Sequence, residues 1–505
     1  MSGLLDAVRR NWHMVNAEPV QKTEAPLRLG LIGASSIAPH SIINPVRTHA
    51  DIVVHAVAAR DVERAKAFAA KHDIPVVKNS YQDLLDDPEI DCVYISLPNS
   101  LHYEWALRAL KAGKHTLLEK PGVSNSSEAE IVFRHPLLTP YALHVGPAGA
   151  AQVSTQKRDS RGDMLTGGGG ALSVPPVLLE AMHTLFHPAW AAFMDYVDPQ
   201  SVASARVTAY IPSVVFGNDS NRFRFELGGG ALMDIGGYTA SALLRVFGGR
   251  PPLDCLRCDT EPALLDPRCD KHFRAQYRFP NGGLGEMEGH LRASIDKIKP
   301  VVTVTHRPVV VPANNAAAAA ASGVEYPIAA GHEIVRVRTV KFNRFLMPTF
   351  YHSIEVHDEY TLQQQQQVSG SGGSGSSRRA SAAATHARLA STSTRSSAAS
   401  SSSTTTVRLG SSGSSGRDGG VVKRWKKSQT VRAYTFEDAG RGQRGDASWT
   451  TYRYQLEQFV NKVRGRRPGQ WFSAQDSLEV MRMLDMAYVT AGLPLRPTSN
   501  FTLEM

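Results

Sequence analysis

A lysine stands between an apolar run and a proline in the stretch His115–Val123, HTLLEKPGV. A lysine that needs only solvent rarely sits there, since the run reads as a buried strand and Pro121 stiffens the turn beyond it. The spacing holds the Lys120 ammonium at a strand end for some task other than solvation. A second chemical stretch, Gly33-Ala34-Ser35-Ser36-Ile37-Ala38, follows the run LRLGLI. It occupies the place of a phosphate-cradling G-x-G-x-x-G/A loop, with Ser35 where the middle glycine belongs and Ala38 at the third position. The letters alone are weak. The strand before, the helix signal after and the small residues throughout strengthen them, and the Ser35 and Ser36 hydroxyls add to the backbone N–H groups that face a pyrophosphate.

The end of the next strand indicates which dinucleotide such a loop takes. A chain that binds NAD usually places an acid there for the ribose 2′-OH. This one reads Ala58-Ala59-Arg60-Asp61, with Arg64 one helical turn on. Asp61 suits a helix N-cap, whereas the Arg60 guanidinium can fork onto a 2′-phosphate, which favours NADP.

The elements that must position these groups alternate. Strands are expected at 27–32, 52–58, 91–97 and 115–119. Between them come an irregular helix held back by Pro39 and Pro45, a helix over 61–72 capped by Asp61, and a helix capped by Asn99 and ended by Gly113. Alternation at this spacing predicts a parallel, doubly wound sheet whose ligands bind at the C-terminal strand ends.

Composition bounds the rest. Of 505 residues 42% are hydrophobic and 20% charged, the balance of an ordinary globular protein. No apolar run approaches a membrane span, the N-terminus is interrupted by Asp6 and two arginines, and four cysteines suggest a reducing compartment, so a cytoplasmic location is expected. The net charge of +10 is concentrated in 369–430, where ten lysines and arginines face one acid, Asp418. That Ser/Gly-rich segment cannot bury a core; it reads as a disordered tether with at most weak affinity for polyanions, not as a specific nucleic-acid groove. The expected organisation is an N-terminal extension (1–26), a dinucleotide-binding domain (27–133), a glycine-rich loop insertion (134–175), a second domain (176–361), a disordered Gln/Ser/Gly-rich insertion (362–430) and a C-terminal part that completes the fold (431–505). The alanine run at 316–321 reads as a shorter insertion. Cys255, Cys258, Cys269 and His272 have zinc-like spacing, yet PLDCLRCDT and DKHFRAQYRF read better as antiparallel strands, with NGG (281–283) as the turn after the second.

Together GLIGASSIAP, AVAARD, YISLPNSLHYEWALRALKAGKHTLLEKP, PVLLEAMHTLFHPAW, LGGGALMDIGGY and SAQDSLEVMRMLDMAYVTAGLPLRPTS resemble the glucose–fructose oxidoreductase and inositol dehydrogenase family. The similarity is strongest to its dimeric dihydrodiol dehydrogenases and NADP-dependent D-xylose 1-dehydrogenases of filamentous fungi. The resemblance implies an α/β protein with an N-terminal Rossmann domain and a C-terminal α/β domain built on a large, mostly antiparallel sheet whose open face makes a homodimer. It implies NADP bound by Gly33, Ala34, Ser35, Ser36, Ile37, Ala38, Arg60, Leu97, Pro98, Asn99, His102, Glu119 and Lys120. It implies catalysis by Lys120, Asp234 and Tyr238, and a small sugar or diol met by Glu180 and His183. If 228–238 is helical, Asp234 and Tyr238 share a face at i, i+4, and a nearby ammonium is expected to lower the tyrosine pKa. The implied reaction is oxidation of D-xylose or a similar aldose at C1 to the lactone, with trans-dihydrodiols as the nearest substitute; no metal is needed. A non-catalytic sugar-pathway regulator of the same fold is the rival reading, against which the retention of Lys120, Asp234 and Tyr238 argues. One departure stands out: relatives usually carry arginine at Leu185, so His183 and His187 are left either to face the substrate or to cap local structure.

Overall fold

The computed structural model describes residues 8–10, 12, 14, 18–139, 175–217, 219–294, 300–311, 330–364 and 421–504. Most of the expected insertion at 134–175, all of the alanine run at 316–321 and most of 362–430 lie outside the described residues. The chain forms two compact units, residues 1–307, 339–356 and 432–505 in one and 308–338 and 357–431 in the other.

The first unit contains a six-stranded parallel sheet: β1 (Leu27–Ile32), β2 (Ile52–Ala58), β3 (Val76–Lys78), β4 (Cys92–Ile95), β5 (His115–Leu118) and β6 (Leu178–Glu180), in the order β3-β2-β1-β4-β5-β6. This is the strand order of a Rossmann domain. β4 is buried at every position, as a central strand covered on both faces must be. Sequence reading ended this domain at 133. The structure adds β6, three residues whose alternation is too short to read, which pairs Leu118 with Glu180 and so carries Glu180 to the C-terminal edge beside Lys120.

The helices follow their caps with one exception. Asp61 Oδ1 accepts from the Glu63 and Arg64 backbone N–H groups at 3.0 and 3.2 Å and starts the helix Val62–His72. Gly113, at φ +70°, closes the helix His102–Lys111. Asn99, expected to cap that helix, instead opens a 3₁₀ turn, and its side-chain amide donates to the Gly228 carbonyl at 3.0 Å. The amide nitrogen thus reaches a distant carbonyl, while no side-chain cap bond forms at the 3₁₀ turn or at the helix that follows it.

The same unit holds a second sheet of β7 (Val202–Pro212), β8 (Asp254–Pro262), β9 (Asp270–Arg278), β10 (Leu284–Ala293), β11 (Val301–His306) and residues 339–343. Their order is β8-β9-β10-β7-β11 and then 339–343, antiparallel except for β10 beside β7. β10 alternates buried and half-buried residues, the signature of one covered face. The helix Ala474–Thr490 packs on β8, on the helix Gly237–Val246 and on the Rossmann helix Ser126–Phe133, joining the two sheets.

The second unit comprises β12 (Val309–Val311), the first half of β13 (His332–Asn343), the latter half of β14 (Ser353–Gln364) and β15 (Val421–Val431). Its core is Ile334, Tyr360 and Trp425, the last two rings stacked at 5.3 Å. The expected insertion is therefore too wide: 362–364 end β14 and 421–430 belong to β15. A basic run, KRWKK, hid a strand whose Trp425 is buried.

Where the C-terminal tail meets the glycine run 228–230, three buried side chains replace ordinary core. Arg496 donates from Nε to the Gly229 carbonyl (2.6 Å) and from Nη2 to Tyr488 Oη (2.8 Å) and Asp270 Oδ1 (3.2 Å). Asp270 Oδ2 in turn accepts from the Leu232 N–H at 2.7 Å. Gly230 has φ +129°, and a Cβ there would collide with Arg496 and Asp270. Arg496→Met removes one partner of a buried pair and strands the Asp270 charge, so unfolding by urea is expected to cost about 3–5 kcal/mol less than in the wild type; a change below about 1 kcal/mol would show the pair to be dispensable.

Candidate active site

The loop after β1 turns at Gly33, whose φ of +107° and 3.1 Å approach of a notional Cβ to the Ser96 carbonyl oxygen exclude a side chain. Ser35 does not point outward as expected: its hydroxyl donates to Ser96 Oγ at 2.9 Å, tying the loop to the end of β4. Ser36 and Ile37 are exposed, while Ala34 and Ala38 pack inward. The chain continues as a π-helical turn, Pro39–Ile43, then Asn44–Arg47. Arg64 Nη2 donates to the Ala34 carbonyl at 2.9 Å, so that guanidinium supports the loop. Arg60 is exposed at the end of β2, and among the described residues no acid pairs with it. With Asp61 engaged as a cap, Arg60 is an exposed charge left at this edge to meet a ribose substituent.

The β4 and β5 ends are laced together beneath this loop. His102 bridges the Leu97 and Pro121 carbonyls, each ring nitrogen at 2.9 Å from one. Burial pushes its pKa down to about 4, so the neutral ring donates to one carbonyl at a time. Pro98 precedes the 3₁₀ turn at Asn99, and the Lys120–Pro121 peptide is cis. Tyr94 Oη donates to Glu119 Oε1 at 2.6 Å and shares a 2.7 Å hydrogen bond with Ser41, while the Lys120 backbone N–H reaches Glu119 Oε2 at 3.2 Å. Burial raises the Glu119 pKa.

Lys120 Nζ donates to the Asp234 backbone carbonyl at 2.7 Å and to Asp234 Oδ1 at 2.9 Å; Arg222 Nε takes Asp234 Oδ2 at 2.9 Å. Burial opposes the Asp234 charge, but these two cations outweigh it and hold the carboxyl below the ordinary range. Asp234 lies in a π-helical turn, Leu232–Gly236, that runs into the helix Gly237–Val246, so it and Tyr238 converge through an irregular turn where a regular helix was expected. Lys120 Nζ sits 4.8 Å from the centre of the Tyr238 ring. The expected lowering of the tyrosine pKa is overturned: burial, with the Glu119 and Asp234 charges, raises it well above the usual value. The ammonium faces the ring, not the hydroxyl, and Asp234 neutralises it.

The two residues expected to meet substrate are engaged elsewhere. His183 places Nε2 at 2.9 Å from Tyr238 Oη and Nδ1 at 2.7 Å from Thr451 Oγ1, behind the tyrosine. Burial and then the Lys120 charge push its pKa down to about 3. Glu180 accepts from the Gly122 N–H at 2.8 Å and buttresses the turn that carries Lys120. His187 Nδ1 accepts from the Ala189 N–H as a helix cap, and Leu185 is buried. Sequence reading missed Arg222, Thr451 and Tyr452, the last stacked on His183 with ring centres 3.9 Å apart. Nothing local to those residues signals the site; Thr451 is 268 positions from His183. In the second sheet His272 faces Glu261 and Glu288 at 3.4 Å each, and among the described residues no three His, Cys, Asp or Glu side chains are arranged to hold a metal.

Burial raises the Glu180 pKa from 4.5 to about 7. A carboxyl whose folded pKa exceeds its unfolded value contributes stability that is complete below the unfolded pKa and is lost as pH rises through the folded one. Glu180→Gln should match the wild type near pH 4.5 and exceed its unfolding free energy by roughly 2–4 kcal/mol at pH 8. Parallel stability–pH curves for the two proteins would contradict the assignment.

Residues 27–136 match the family model for the oxidoreductase family with NAD-binding Rossmann fold, and residues 199–306 match the GFO/IDH/MocA C-terminal domain. Among curated relatives, an uncharacterised oxidoreductase of Rhizobium meliloti is 30% identical over 51% of this chain and 66% of its own length. The D-xylose 1-dehydrogenase (NADP(+)) 2 of Haloferax volcanii is 30% identical over 45% of this chain and 58% of its own. The trans-1,2-dihydrobenzene-1,2-diol dehydrogenase of Sus scrofa is 29% identical over 45% and 57%. The chain thus spans between about half and two thirds of the length of the curated relatives it matches. A 3-ketoreductase from Actinomadura kijaniata, solved with NADP and TDP-benzene, shares the fold with a TM-score of 0.51 at 18% identity, covering 92% of this chain and 98% of that one. With both of its characteristic domains matched in order, the chain belongs to the GFO/IDH/MocA oxidoreductase family.

Proposed function

We propose that this protein is an NADP-dependent dehydrogenase that oxidises an aldose such as D-xylose at C1 to the lactone. The observation that carries the reading is the convergence of Lys120, Asp234 and Tyr238 at the C-terminal edge of the parallel sheet, next to a dinucleotide loop whose neighbouring charge is Arg60. The bound cofactor would supply hydride transfer at the nicotinamide, gripped by Gly33–Ala38 and Arg60. Two of the three Lys120 N–H groups go to Asp234, which leaves the third for the oxygen of the reacting carbon. Tyr238 handles the proton. Its neutral form, which burial maintains, donates to a carbonyl oxygen in the reducing direction; oxidation needs its deprotonated form. Likeness to D-xylose and dihydrodiol dehydrogenases supports a sugar or diol as substrate. A homodimer through the open face of the second sheet is part of the same proposal, with charged rows such as Arg206, Arg274, Glu286 and Glu288 available for it.

Cofactor choice tests Arg60. NADP⁺ is expected to bind at least about ten times tighter than NAD⁺, roughly 1.4 kcal/mol, and Arg60→Ala to erase most of the difference in titration calorimetry. Equal wild-type affinities would exclude NADP preference. Kinetics test the proton path: turnover of D-xylose with NADP⁺ should climb steadily from about pH 7 to 10 as Tyr238 ionises. Tyr238→Phe and Lys120→Met should each lose about 10²–10⁴ in turnover, with NADP⁺ affinity retained. A Lys120→Met protein at full turnover would make Lys120 structural, and turnover of a trans-dihydrodiol in preference to D-xylose would reassign the substrate.

A further inference from the structure

The Tyr238 hydroxyl is anchored by a buried chain that the C-terminal segment completes. His183 lies between Tyr238 Oη (2.9 Å) and Thr451 Oγ1 (2.7 Å), its ring stacked on Tyr452 at 25° and set edge-on to Tyr238. Thr451 opens the helix Thr451–Val463, for which the neighbouring Thr450 is the N-cap, so Thr451's own hydroxyl is free of capping duty. His183 and Thr451 are each 4% exposed.

Hydrogen accounting decides which hydroxyl each tautomer leaves unpartnered. The buried imidazole is neutral and carries a single N–H. Among the described residues Thr451 Oγ1 has one partner, His183 Nδ1. A proton on Nδ1 would make the threonine oxygen an acceptor and leave its O–H with nothing to donate to, a buried loss of about 1–3 kcal/mol. In the other arrangement Thr451 O–H donates to Nδ1 and Nε2–H donates to Tyr238 Oη, which moves the one unpartnered hydroxyl proton from Thr451 to Tyr238, the side on which Lys120 lies and a substrate oxygen could accept it. Lys120 lies on the ring side of that same tyrosine.

We propose that Thr451 and Tyr452 are positioning residues for the reaction: they hold His183 as the Nε2–H tautomer, which donates to Tyr238 Oη and leaves the Tyr238 proton for the substrate oxygen. The inference rests on Tyr238 being the proton donor proposed above. In the reducing direction the Tyr238 O–H bond breaks and the substrate O–H bond forms while the carbonyl carbon takes a hydride from the reduced nicotinamide. The phenolate left behind keeps the His183 hydrogen bond, and oxidation is the reverse. Thr451→Val removes the donor that fixes the tautomer at constant volume, whereas Thr451→Ser retains it.

The test uses the full chain. Long-range proton–nitrogen spectra of the protein without cofactor, with His183→Gln to assign the signals, report which ring nitrogen carries hydrogen. Nε2–H is expected in the wild type and in Thr451→Ser, and Nδ1–H or a mixture in Thr451→Val. Turnover of D-xylose with NADP⁺ should fall on the order of 10–100-fold in Thr451→Val, less than on loss of Tyr238 itself, and recover in Thr451→Ser, with NADP⁺ affinity unchanged. Nδ1–H in an active wild type, or a Thr451→Val protein with wild-type turnover, would overturn the proposal. A protein with the expected tautomer that turns over no sugar or diol would instead overturn the substrate reading.

Discussion

The buried pair of Arg496 and Asp270 is the constraint on which the site depends. Neither side chain is exposed, and each hydrogen-bonds backbone of the segment that leads into Asp234: Arg496 the Gly229 carbonyl, Asp270 the Leu232 N–H. A buried ion pair adds little net stability over an apolar substitute, but it is exacting about geometry because each charge must find its full set of partners. Here that exactness falls on a glycine run that has no side chains of its own to fix its backbone. The tail after the last helix thereby sets the angle at which the π-helical turn presents its carboxylate.

From that turn the electrostatics follow. Asp234 sits between Lys120 and Arg222 and stays ionised although burial opposes it. Its neutralisation of Lys120 explains why the ammonium does not make Tyr238 acidic, and why the tyrosine is better suited to hold its proton than to lose it near neutral pH. A carboxylate, two cations and a neutral phenol thus share one cluster, with Lys120 and Arg222 both turned to Asp234. Beneath them Glu119, Glu180 and His102 act on the backbone: they hold the turn from β5 to Gly122 to the ends of β4 and β6.

Sites assembled this way depend on chain segments far apart in sequence. Lys120 comes from the parallel sheet, Asp234 and Tyr238 from the entry to a helix packed on the second sheet, and Thr451 and Tyr452 from a helix beyond the Ser/Gly-rich stretch. The helix Thr451–Val463 lies against the turn His183–Phe186, which makes the C-terminal part of the chain a component of the candidate site as well as of the fold.

What the sequence determined by itself was whatever is written in neighbouring residues. The alternation of strands and helices, the Asp61 cap, the Gly33 turn and the Gly113 stop depend on local propensity and backbone sterics, and each is found where it was read. Lys120 was legible because a lysine between a strand and a proline is locally anomalous, and Asp234 and Tyr238 through the motif that contains them. Tertiary structure decided the rest, because it turns on partners that local pattern does not encode. Asn99 gave up a cap for a carbonyl 129 residues away, Glu180 and His183 turned inward from substrate to backbone and tyrosine, and the Tyr238 pKa moved opposite to the expectation once burial and Asp234 were counted. β6 and β15 were hidden for a related reason: three residues, or a basic run with one buried tryptophan, become strands only when a neighbouring strand supplies the hydrogen bonds and the cover.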